Sequence, residues 1–509
     1  MRNIRFQLFL LVLIGMTIAQ TAMAQGSYNE PYRPQFHFTP EKNWMNDPNG
    51  LVYYKGEYHL FYQYNPFGNS WGHMSWGHAV STDLMHWKHL PVALAEENGV
   101  MIFSGSAVVD WNNSSGLCQS SDPKDKSCLI AIYTGHIEGK NQSQHIAVSN
   151  DRGRTWTKFA GNPVIDIGYR DFRDPKVFWH EATKQWVMVV VLSKEQKARF
   201  YGSKNLKDWI LLSEFGGAGV ADKNVLWECP DLFELPIIGQ PNKKRWVLIV
   251  NINPGGVAGG SGGQYFVGKF DGKTFTNDNP VETKLFLDYG KDFYAAVSFS
   301  DIPKRDGRRI LIGWMSNWQY AGKEPTVPFR TAQSIPRELK LKQTAAGLRL
   351  VHTAVKELQS LRGAVTTKRN LELSKPQVIA SGEALEISGE FSVSKDATAI
   401  IRLSAGTSET LIGYDAAAQT LFIDRTKSGE VSFDRNFPGR HAVSLQPQQG
   451  KIKLHIFVDR SSVEVFGNDG EVALTDRIFP ASKVQQVELQ GANSKCLALK
   501  VWQLKAVWK

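Results

Sequence analysis

Short runs rich in Val, Ile, Tyr, Phe and Trp follow one another from about Phe36 to Leu350, and Gly, Asn, Asp and Pro separate them. Apolar runs of this length between turn residues predict β-strands, and helical periodicity is nearly absent from the region. The clearest predicted strands are residues 50–64, 104–111, 129–134, 177–179 and 246–251.

A turn followed by an aromatic residue recurs four times in the same region. The copies lie at residues 81–87, 149–156, 202–209 and 271–275, at intervals of about 50 to 70 residues. Such a repeat indicates one antiparallel sheet per interval and predicts a β-propeller. Because the spacing is uneven, four unrelated hairpin turns remain the alternative interpretation.

The pattern of polar and apolar residues changes after the predicted propeller. Val355, Leu358 and Leu361 lie on one side of a brief helical pattern, which predicts a connector. Beyond it, polar and apolar residues alternate, as in residues 452–458, with a turn at residues 459–462, and this pattern predicts a β-sandwich. The predicted segments are a propeller over residues 30–350, a connector over residues 351–363 and a sandwich over residues 364–509.

The composition fits a globular protein with two domains. The 509 residues are 42% hydrophobic and 21% charged, and the net charge of +10 is spread along the chain, which argues against a nucleic-acid partner. Two arginines, an apolar stretch and the site Ala22-Met23-Ala24 predict a cleaved signal peptide at residues 1–24. No later segment is apolar enough to insert into a membrane, so we expect a secreted or periplasmic protein.

The four cysteines leave one question open. Cys118 and Cys128 flank a polar stretch and would close a small loop in an oxidising compartment, so a disulfide and two free thiols are both compatible with the sequence. Cys229 and Cys496 are far apart along the chain, and we expect buried thiols.

Five histidines raise the question of a metal ion. Their spacing matches no recognised site and no cysteine accompanies them, so no metal and no cofactor are predicted. They are His59, His73, His78, His86 and His89.

The first of three acidic motifs runs from Trp44 to Gly50. Pro48 and Gly50 enforce a turn, which would hold Asp47 through local backbone geometry. Trp44 is expected to stack on a sugar ring, and Asn46 to bind hydroxyl groups. Taken alone, the motif is equally compatible with a plain turn.

The second and third motifs each contribute another carboxylate. In residues 169–175, Arg173 is expected to lower the pKa of Asp174, so that the ionised carboxylate accepts hydrogen bonds from sugar hydroxyls. In residues 227–233, Glu228 lies between an indole and a thiol, which solvate a charge poorly and favour the protonated form that a general acid needs. The alternative for the second motif is a structural salt bridge, and the alternative for the third is a buried glutamate paired with Arg or Lys.

Together the three motifs resemble glycoside hydrolase family 32, the family of invertases, inulinases and levanases. The resemblance covers nearly the whole mature chain and includes residues 61–66, 71–78, 103–106, 292–295, 313–320 and 459–466. It implies an all-β fold, with a five-bladed β-propeller followed by a C-terminal β-sandwich. It also implies a retaining hydrolase that releases fructose from β-D-fructofuranosides and needs no cofactor.

The resemblance also implies a role for each matching residue. Asp47 would be the nucleophile, Glu228 the acid and then the base, and Asp174 the stabiliser of the transition state, with Arg173 beside it. Residues expected to line the fructose subsite, besides Trp44, are Asn46, Gln63, Trp71, Phe103, Ser104 and Trp318.

Several functions remain open at this level. A fructan is expected as the main substrate, with sucrose also cleaved, because export places the protein where polymers occur. The alternatives are a sucrose-specific invertase, a fructosyltransferase, an arabinan-cleaving propeller enzyme and a catalytically inactive fructan-binding propeller, which would be expected to have lost Asp47 or Glu228. The motifs do not distinguish β-2,1 from β-2,6 linkages, exo from endo action, or one oligomeric state from another.

Overall fold

A computed structural model describes residues 28–119, 122 and 124–508. The predicted signal peptide at residues 1–24 lies outside the described residues. Within the described part, the chain forms β-strands throughout, interrupted by two short 3-10 helices at Ala321–Lys323 and Lys356–Leu361. The all-β fold predicted from the sequence is confirmed.

The N-terminal strands form five four-stranded antiparallel groups in chain order, which are the blades of a propeller. Blade 1 is β1 (Asn43–Tyr54), β2 (Glu57–Tyr64), β3 (Ser75–Ser81) and β4 (Lys88–Leu94). Blade 2 is β5 (Met101–Asp110), β6 (Cys128–His136), β7 (Gln142–Ser149) and β8 (Thr157–Lys158). Blade 3 is β9 (Phe172–His180), β10 (Gln185–Leu192), β11 (Lys197–Ser203) and β12 (Ile210–Gly216).

The last two blades complete the ring. Blade 4 is β13 (Leu226–Ile237), β14 (Gln240–Asn253), β15 (Gly262–Phe270) and β16 (Phe275–Asn277). Blade 5 contains β17 (Tyr294–Ser298), β18 (Arg309–Met315), β21 (Arg337–Thr344) and β22 (Gly347–Ala354), and the short strands β19 (Phe329–Arg330) and β20 (Ala332–Gln333) precede β21. The first strands of the blades pack side by side in the order β1, β5, β9, β13, β17 and back to β1, so they surround the propeller axis.

The repeated turn seen in the sequence joins the third and fourth strands of blades 1 to 4. In each copy an Asp or Asn side chain accepts hydrogen bonds from backbone N–H groups two or three residues later, which fixes the turn. These four residues are Asp83, Asp151, Asn205 and Asp271. The repeat was therefore a correct sign of the propeller, and residues 50–64, predicted as one strand, form the hairpin of β1 and β2.

The C-terminal strands form a β-sandwich. They are β23 (Arg362–Glu372), β24 (Gln377–Gly382), β25 (Leu385–Ala405), β26 (Ser408–Asp415), β27 (Thr420–Lys427), β28 (Arg440–Ser444), β29 (Lys451–Asp459), β30 (Ser462–Gly467), β31 (Val472–Arg477) and β32 (Gln485–Leu504). The long strands β25 and β32 pair along both halves and belong to both layers. One layer adds β24, β26, β27 and β28, the other adds β23, β29, β30 and β31, and alternating apolar residues fill the space between them.

Two of the four cysteines are joined, which settles the question that the sequence left open. Cys118 and Cys128 form a disulfide with 5.2 Å between their Cα atoms, whereas Cys229 and Cys496 are free and buried. Among the described residues, no group of three or more His, Cys, Asp or Glu side chains is arranged to hold a metal ion. Within the same residues, no helix has the length and apolar character to cross a bilayer.

Buried ion pairs join the two domains. Arg337 of β21 binds Asp288 of the propeller and Glu464 of the sandwich, and all three side chains are at most 1% exposed. Glu464 also contacts His37, which bridges to Asp459. The sandwich carboxylates Glu464 and Asp459 are compensated by Arg337 and His37 from the propeller side, so these pairs help to fix how the domains are oriented.

We expect Arg337→Met to lower the free energy of unfolding by about 3–5 kcal/mol, because it leaves two carboxylates buried without their cation. Arg402→Met is the matched control, since Arg402 binds Glu409 and Glu488 at the surface with 36% of its side chain exposed. The control should cost about 1 kcal/mol or less. Urea-induced unfolding measures both changes, and equal losses would contradict the assigned role of Arg337.

Candidate active site

A β-bulge interrupts the first strand of every blade at the same level of the propeller. The strand pairing shifts register between Met45 and Pro48, Phe103 and Gly105, Arg173 and Lys176, Glu228 and Asp231, and Tyr294 and Val297. A bulge turns side chains away from the regular alternation of a strand. The segments with the predicted site residues Asn46, Asp47, Phe103, Ser104, Arg173, Asp174 and Glu228 all lie at these bulges.

The backbone of three bulges adopts an unfavourable conformation. Asp174, Cys229 and Ala295 have φ angles of 65°, 43° and 50°, in the left-handed region that residues other than glycine rarely adopt. Pro175 and Pro230 follow two of them, and proline fits a position where no N–H is available to the ladder. The surrounding structure must therefore hold these bulges in place.

Side chains from neighbouring strands provide that support. Thr134 Oγ1 accepts a hydrogen bond from the N–H of Asp174 at 3.0 Å. Asn251 Nδ2 donates to the carbonyl of Cys229 at 2.9 Å, and its Oδ1 accepts from the N–H of Ala296 at 3.1 Å. Backbone groups that the bulges remove from the ladder are thus satisfied by buried polar side chains.

Asp47 of blade 1 is buried and held by three donors. Ser104 Oγ donates to Asp47 Oδ2 at 2.7 Å, Asn46 Nδ2 donates to Oδ1 at 3.0 Å, and the Cys229 thiol donates to Oδ2 at 3.4 Å. Burial and the nearby charge of Glu228 raise the pKa of Asp47, while the three donors oppose the rise. The donors also fix the direction in which the carboxylate points.

Asp174 of blade 3 lies on the other side of the same thiol. Its Oδ2 accepts from the N–H of Cys229 at 2.9 Å and from its Sγ at 3.6 Å. Burial, with the charges of Glu228 and Asp47, raises the pKa of Asp174 to about 7, although Arg173 acts in the opposite direction. The expectation that Arg173 holds the pKa of Asp174 below its usual value is therefore wrong, since burial outweighs the cation.

Glu228 of blade 4 is more accessible than the two aspartates. Its side chain is 20% exposed, compared with 6% for Asp174. Arg173 Nη2 lies 3.0 Å from Glu228 Oε1, and the hydroxyl of Tyr294 donates to Oε2. The surroundings of Glu228 thus differ from those expected, because Trp227 packs into the core of the propeller and the Cys229 thiol contacts the two aspartates.

Arg173 connects the carboxylates. Its guanidinium binds Glu228 directly, lies 4.0 Å from Asp174 and donates to Ser193 Oγ at 2.7 Å. Its side chain is 9% exposed, so the charge lies in a poorly hydrated environment. Arg173 is therefore shared between Asp174 and Glu228 and binds Glu228 more closely.

Other predicted subsite residues surround the carboxylates at different depths. Ser104 and Asn46 bind Asp47, and Gln63 is buried with an Nε2 that has no partner among the described residues. Phe103 stacks on His136 and meets the edge of Trp71, which is 45% exposed. A free amide donor and an exposed aromatic ring are groups that a sugar can bind.

Trp44 and Trp318 form an aromatic group beside Asp47. Trp44 is 1% exposed, packs against Trp318 and Trp314, and donates from Nε1 to Asn46 Oδ1 at 2.7 Å. In the structure Trp44 orients Asn46, and Trp318 is the partly buried member of the group. Stacking of Trp44 on a sugar and the place of Trp318 in the fructose subsite stay predictions.

Cys229 and Tyr294 were not predicted as site residues. Burial and the neighbouring carboxylates raise the pKa of the Cys229 thiol well above its usual value, so it stays protonated, and Asp47 and Asp174 share its single S–H as acceptors. A sequence signal was available for Cys229, because Asp47-Pro48, Asp174-Pro175 and Cys229-Pro230 repeat a bulge residue followed by proline. The side chain of Tyr294 carried no such signal.

Two family models match the chain. The model described as the glycosyl hydrolases family 32 N-terminal domain matches residues 37–353, and the model described as the family 32 C terminal matches residues 357–503. The first range covers the blades, and the second covers nearly all of the sandwich.

Curated relatives and solved structures agree with these matches. The chain is 54% identical to a levanase of Bacillus subtilis over 100% of this chain and 75% of the relative. It is 42% identical to an extracellular exo-inulinase of Aspergillus awamori, over 98% of each. The crystal structure of an exo-inulinase from that species superposes with a TM-score of 0.87 at 42% identity, covering 94% of this chain and 100% of the other. A β-fructofuranosidase of Schwanniomyces occidentalis, complexed with fructosyl-erythritol, has a TM-score of 0.86 at 36% identity, over 95% and 99%.

We expect Asp174→Asn to stabilise the protein more at pH 8 than at pH 5. The pKa of Asp174 is about 7 in the folded state and about 3.9 in an unfolded chain, so the folded state binds more protons between these values. Its contribution to stability is complete at low pH and is lost as the pH rises to about 7. The asparagine removes that loss, so thermal unfolding should show a melting-temperature gain of several degrees at pH 8. The same gain at both pH values would contradict the raised pKa.

Proposed function

This chain belongs to glycosyl hydrolase family 32, and on that premise we propose that Asp47, Asp174 and Glu228 cleave a fructofuranosyl unit by a retaining mechanism. The protein is a glycoside hydrolase that releases fructose from fructans. The observation that carries the residue assignment is that shared contacts link three carboxylates from three blades. The Cys229 thiol contacts Asp47 and Asp174, and the Arg173 guanidinium lies beside Asp174 and Glu228. Such a cluster is suited to the two carboxylate roles of glycoside hydrolysis.

In the first step, Asp47 attacks the anomeric carbon of the terminal fructose. The donors Ser104, Asn46 and Cys229 orient its carboxylate and stabilise its negative charge. Glu228 gives its proton to the departing oxygen, so the leaving sugar departs as an alcohol. Its greater exposure fits this role, because the acid must face the leaving group at the open side of the site.

In the second step, Glu228 acts as a base. It takes a proton from water, which attacks the anomeric carbon and breaks the bond to Asp47, and fructose leaves with its configuration retained. Arg173 and Tyr294 hold the two oxygens of Glu228 through both steps. Glu228 loses a proton in the first step and regains one in the second, so the site returns to its starting state.

Asp174 is proposed to bind two hydroxyl groups of the fructose ring. Hydrogen bonds that shorten as the ring flattens stabilise the transition state more than the substrate and lower the barrier. The hydroxyl groups of a bound sugar also supply Asp174 with hydrogen bonds that it cannot receive from water, because its carboxylate is buried. Gln63 is proposed to bind the same unit, and its unpartnered Nε2 supports this role.

Fructans are the substrates, and cleavage of sucrose is a further proposal. Both contain a terminal β-D-fructofuranosyl unit, and the residues around Asp47 act on that unit, whichever sugar leaves. The relatives named levanase and exo-inulinase support a polymer, and the relative named β-fructofuranosidase supports a small fructoside. The extracellular relatives support secretion, and a periplasmic location stays a proposal.

We expect Asp47→Asn to lower kcat on sucrose and on fructans by at least about a thousandfold, because an amide cannot form the fructosyl intermediate. Asp83→Asn is the control, since Asp83 lies in an exposed turn of the same blade. Release of reducing sugar measures both rates. Activity of Asp47→Asn near that of the parent protein would exclude the nucleophile role.

Glu228→Gln should slow the first step for a substrate whose leaving group needs a proton and spare it for a substrate whose leaving group does not. On sucrose we expect a loss of about a hundredfold or more, because no acid protonates the departing oxygen. Formation of the intermediate from fructosyl fluoride needs no proton, so the first turnover should remain fast. Stopped-flow release of fluoride distinguishes the steps, and an equal loss on both substrates in the first turnover would argue against the acid role.

A further inference from the structure

One buried amide connects the bulges of two neighbouring blades. Asn251 lies on β14, the second strand of blade 4, and is fully buried. Its Nδ2 donates to the carbonyl of Cys229 at 2.9 Å, and its Oδ1 accepts from the N–H of Ala296 at 3.1 Å. Cys229 belongs to the bulge of β13 in blade 4, and Ala296 belongs to the bulge of β17 in blade 5. A single side chain therefore holds these two bulges at a fixed distance.

A comparable link joins blades 2 and 3, but it uses a different group. Thr134 also lies on a second strand, and its hydroxyl accepts from the N–H of Asp174 in the bulge of the next blade. The same hydroxyl donates to Gln144 on the third strand of its own blade. The amide of Asn251 has separate donor and acceptor atoms, so it can bind the carbonyl of one bulge and the N–H of another.

The neighbouring strand leaves room for this amide. Gly263 of β15 pairs with Asn251, and a Cβ atom at Gly263 would lie 3.1 Å from Asn251 Oδ1 and 2.6 Å from Leu287 Cδ1. A side chain at position 263 would therefore displace the amide or the leucine. The position of the Asn251 amide depends on a glycine beside it, as expected for a closely packed interior.

The two linked bulges carry Glu228 and Tyr294. Glu228 directly precedes Cys229, Tyr294 directly precedes Ala295, and both following residues have left-handed φ angles that need support. The hydroxyl of Tyr294 donates to Glu228 Oε2. Burial and the charge of Glu228 raise the pKa of Tyr294 well above its usual value, so the hydroxyl keeps its proton and remains a donor. This hydrogen bond spans the same two bulges that Asn251 joins.

We propose that Asn251 is a positioning residue for the acid and base role of Glu228. By fixing the two bulges relative to each other, Asn251 keeps the hydroxyl of Tyr294 bound to Glu228, which fixes the direction of the carboxyl group. The rate depends on this direction, because proton transfer needs hydrogen-bond geometry between the acid and the departing oxygen. The inference rests on the proposed function, in which Glu228 is the acid and then the base.

Three substitutions and one control test this role. Asn251→Leu keeps the approximate shape of the side chain and removes both hydrogen bonds, and Asn251→Thr restores an oxygen that can accept from Ala296. Tyr294→Phe removes the hydroxyl that Asn251 is proposed to position. Asn162→Leu is the matched control, because the Asn162 amide also binds a backbone N–H and a carbonyl, both of Ile146 on the third strand of blade 2.

We expect Asn251→Leu to lower kcat on the trisaccharide 1-kestose by about ten- to a hundredfold and to change KM by less than about threefold, because both chemical steps use Glu228. Fluoride release in the first turnover of fructosyl fluoride needs no proton and should slow by less than about threefold. Asn251→Thr should recover at least about threefold of the lost kcat, since one of the two hydrogen bonds returns. Asn162→Leu should lower the melting temperature and keep the kinetics of the parent protein.

A double-mutant cycle shows whether Asn251 acts through Tyr294. Tyr294→Phe should lower kcat on 1-kestose by about tenfold in the parent protein and by less than about twofold in the Asn251→Leu protein, where the hydroxyl is already displaced. Equal effects in both proteins would overturn the proposal, and so would equal losses of Asn251→Leu on 1-kestose and in the first turnover of fructosyl fluoride. If Asn251→Leu does not fold, Asn251→Thr decides through the same two comparisons.

Glu228→Gln, measured on the same two substrates, separates this inference from the proposed function. An equal loss on both substrates in the first turnover of Glu228→Gln would overturn the acid role on which the inference rests. A loss confined to 1-kestose in Glu228→Gln, without a similar difference in Asn251→Leu, would overturn the role of Asn251 alone.

Discussion

Five strands around one axis bring distant parts of a sequence together only if their side chains turn toward a common point. In a regular strand, successive side chains alternate between the two faces of a blade, and few of them point along the axis. The bulges in β1, β5, β9, β13 and β17 break this alternation at one level. They allow Asp47, Asp174 and Glu228, which lie far apart in sequence, to share one small volume.

This arrangement has an energetic cost that the rest of the fold must offset. Three carboxylates in a poorly hydrated space repel each other, and left-handed residues at Asp174 and Cys229 add backbone strain. Arg173, the protonated Cys229 and the amide of Asn251 compensate locally. The pKa values of Asp47 and Asp174 are still raised, so this compensation is incomplete.

The sandwich contributes to the same support from outside the propeller. Arg425 of β27 binds Asp292, which precedes blade 5, and also the hydroxyl of Tyr320. Asn317, in the same segment as Tyr320, binds the carbonyls of Gly259, Ser261 and Lys291, and Trp318 follows it beside Trp44. The second domain therefore helps to fix an aromatic group next to Asp47.

The sequence predicts the fold well because repeated turns and alternating strands are local signals. It also singles out the three carboxylates that the structure brings together, because each lies in a motif with its own turn residues. The sequence does not show in which direction each side chain points. Arg173 is adjacent to Asp174 in the chain, but the bulge turns its guanidinium to Glu228. The disulfide depended on whether the fold brings the Cα atoms of Cys118 and Cys128 close enough to be bridged. Asp292 and Tyr320 lie in matching motifs, yet their partner Arg425 is more than a hundred residues away.

The central claim is that Asp47 forms a covalent bond to fructose within this cluster. Mass spectrometry of the Glu228→Gln protein, quenched with acid shortly after mixing with fructosyl fluoride and then digested, tests it directly. The account predicts one added fructosyl unit on the peptide that contains Asp47, and no such addition in the Asp47→Asn, Glu228→Gln double variant. A fructosyl unit on another peptide, or fructose released with no adduct at any quench time, would contradict it.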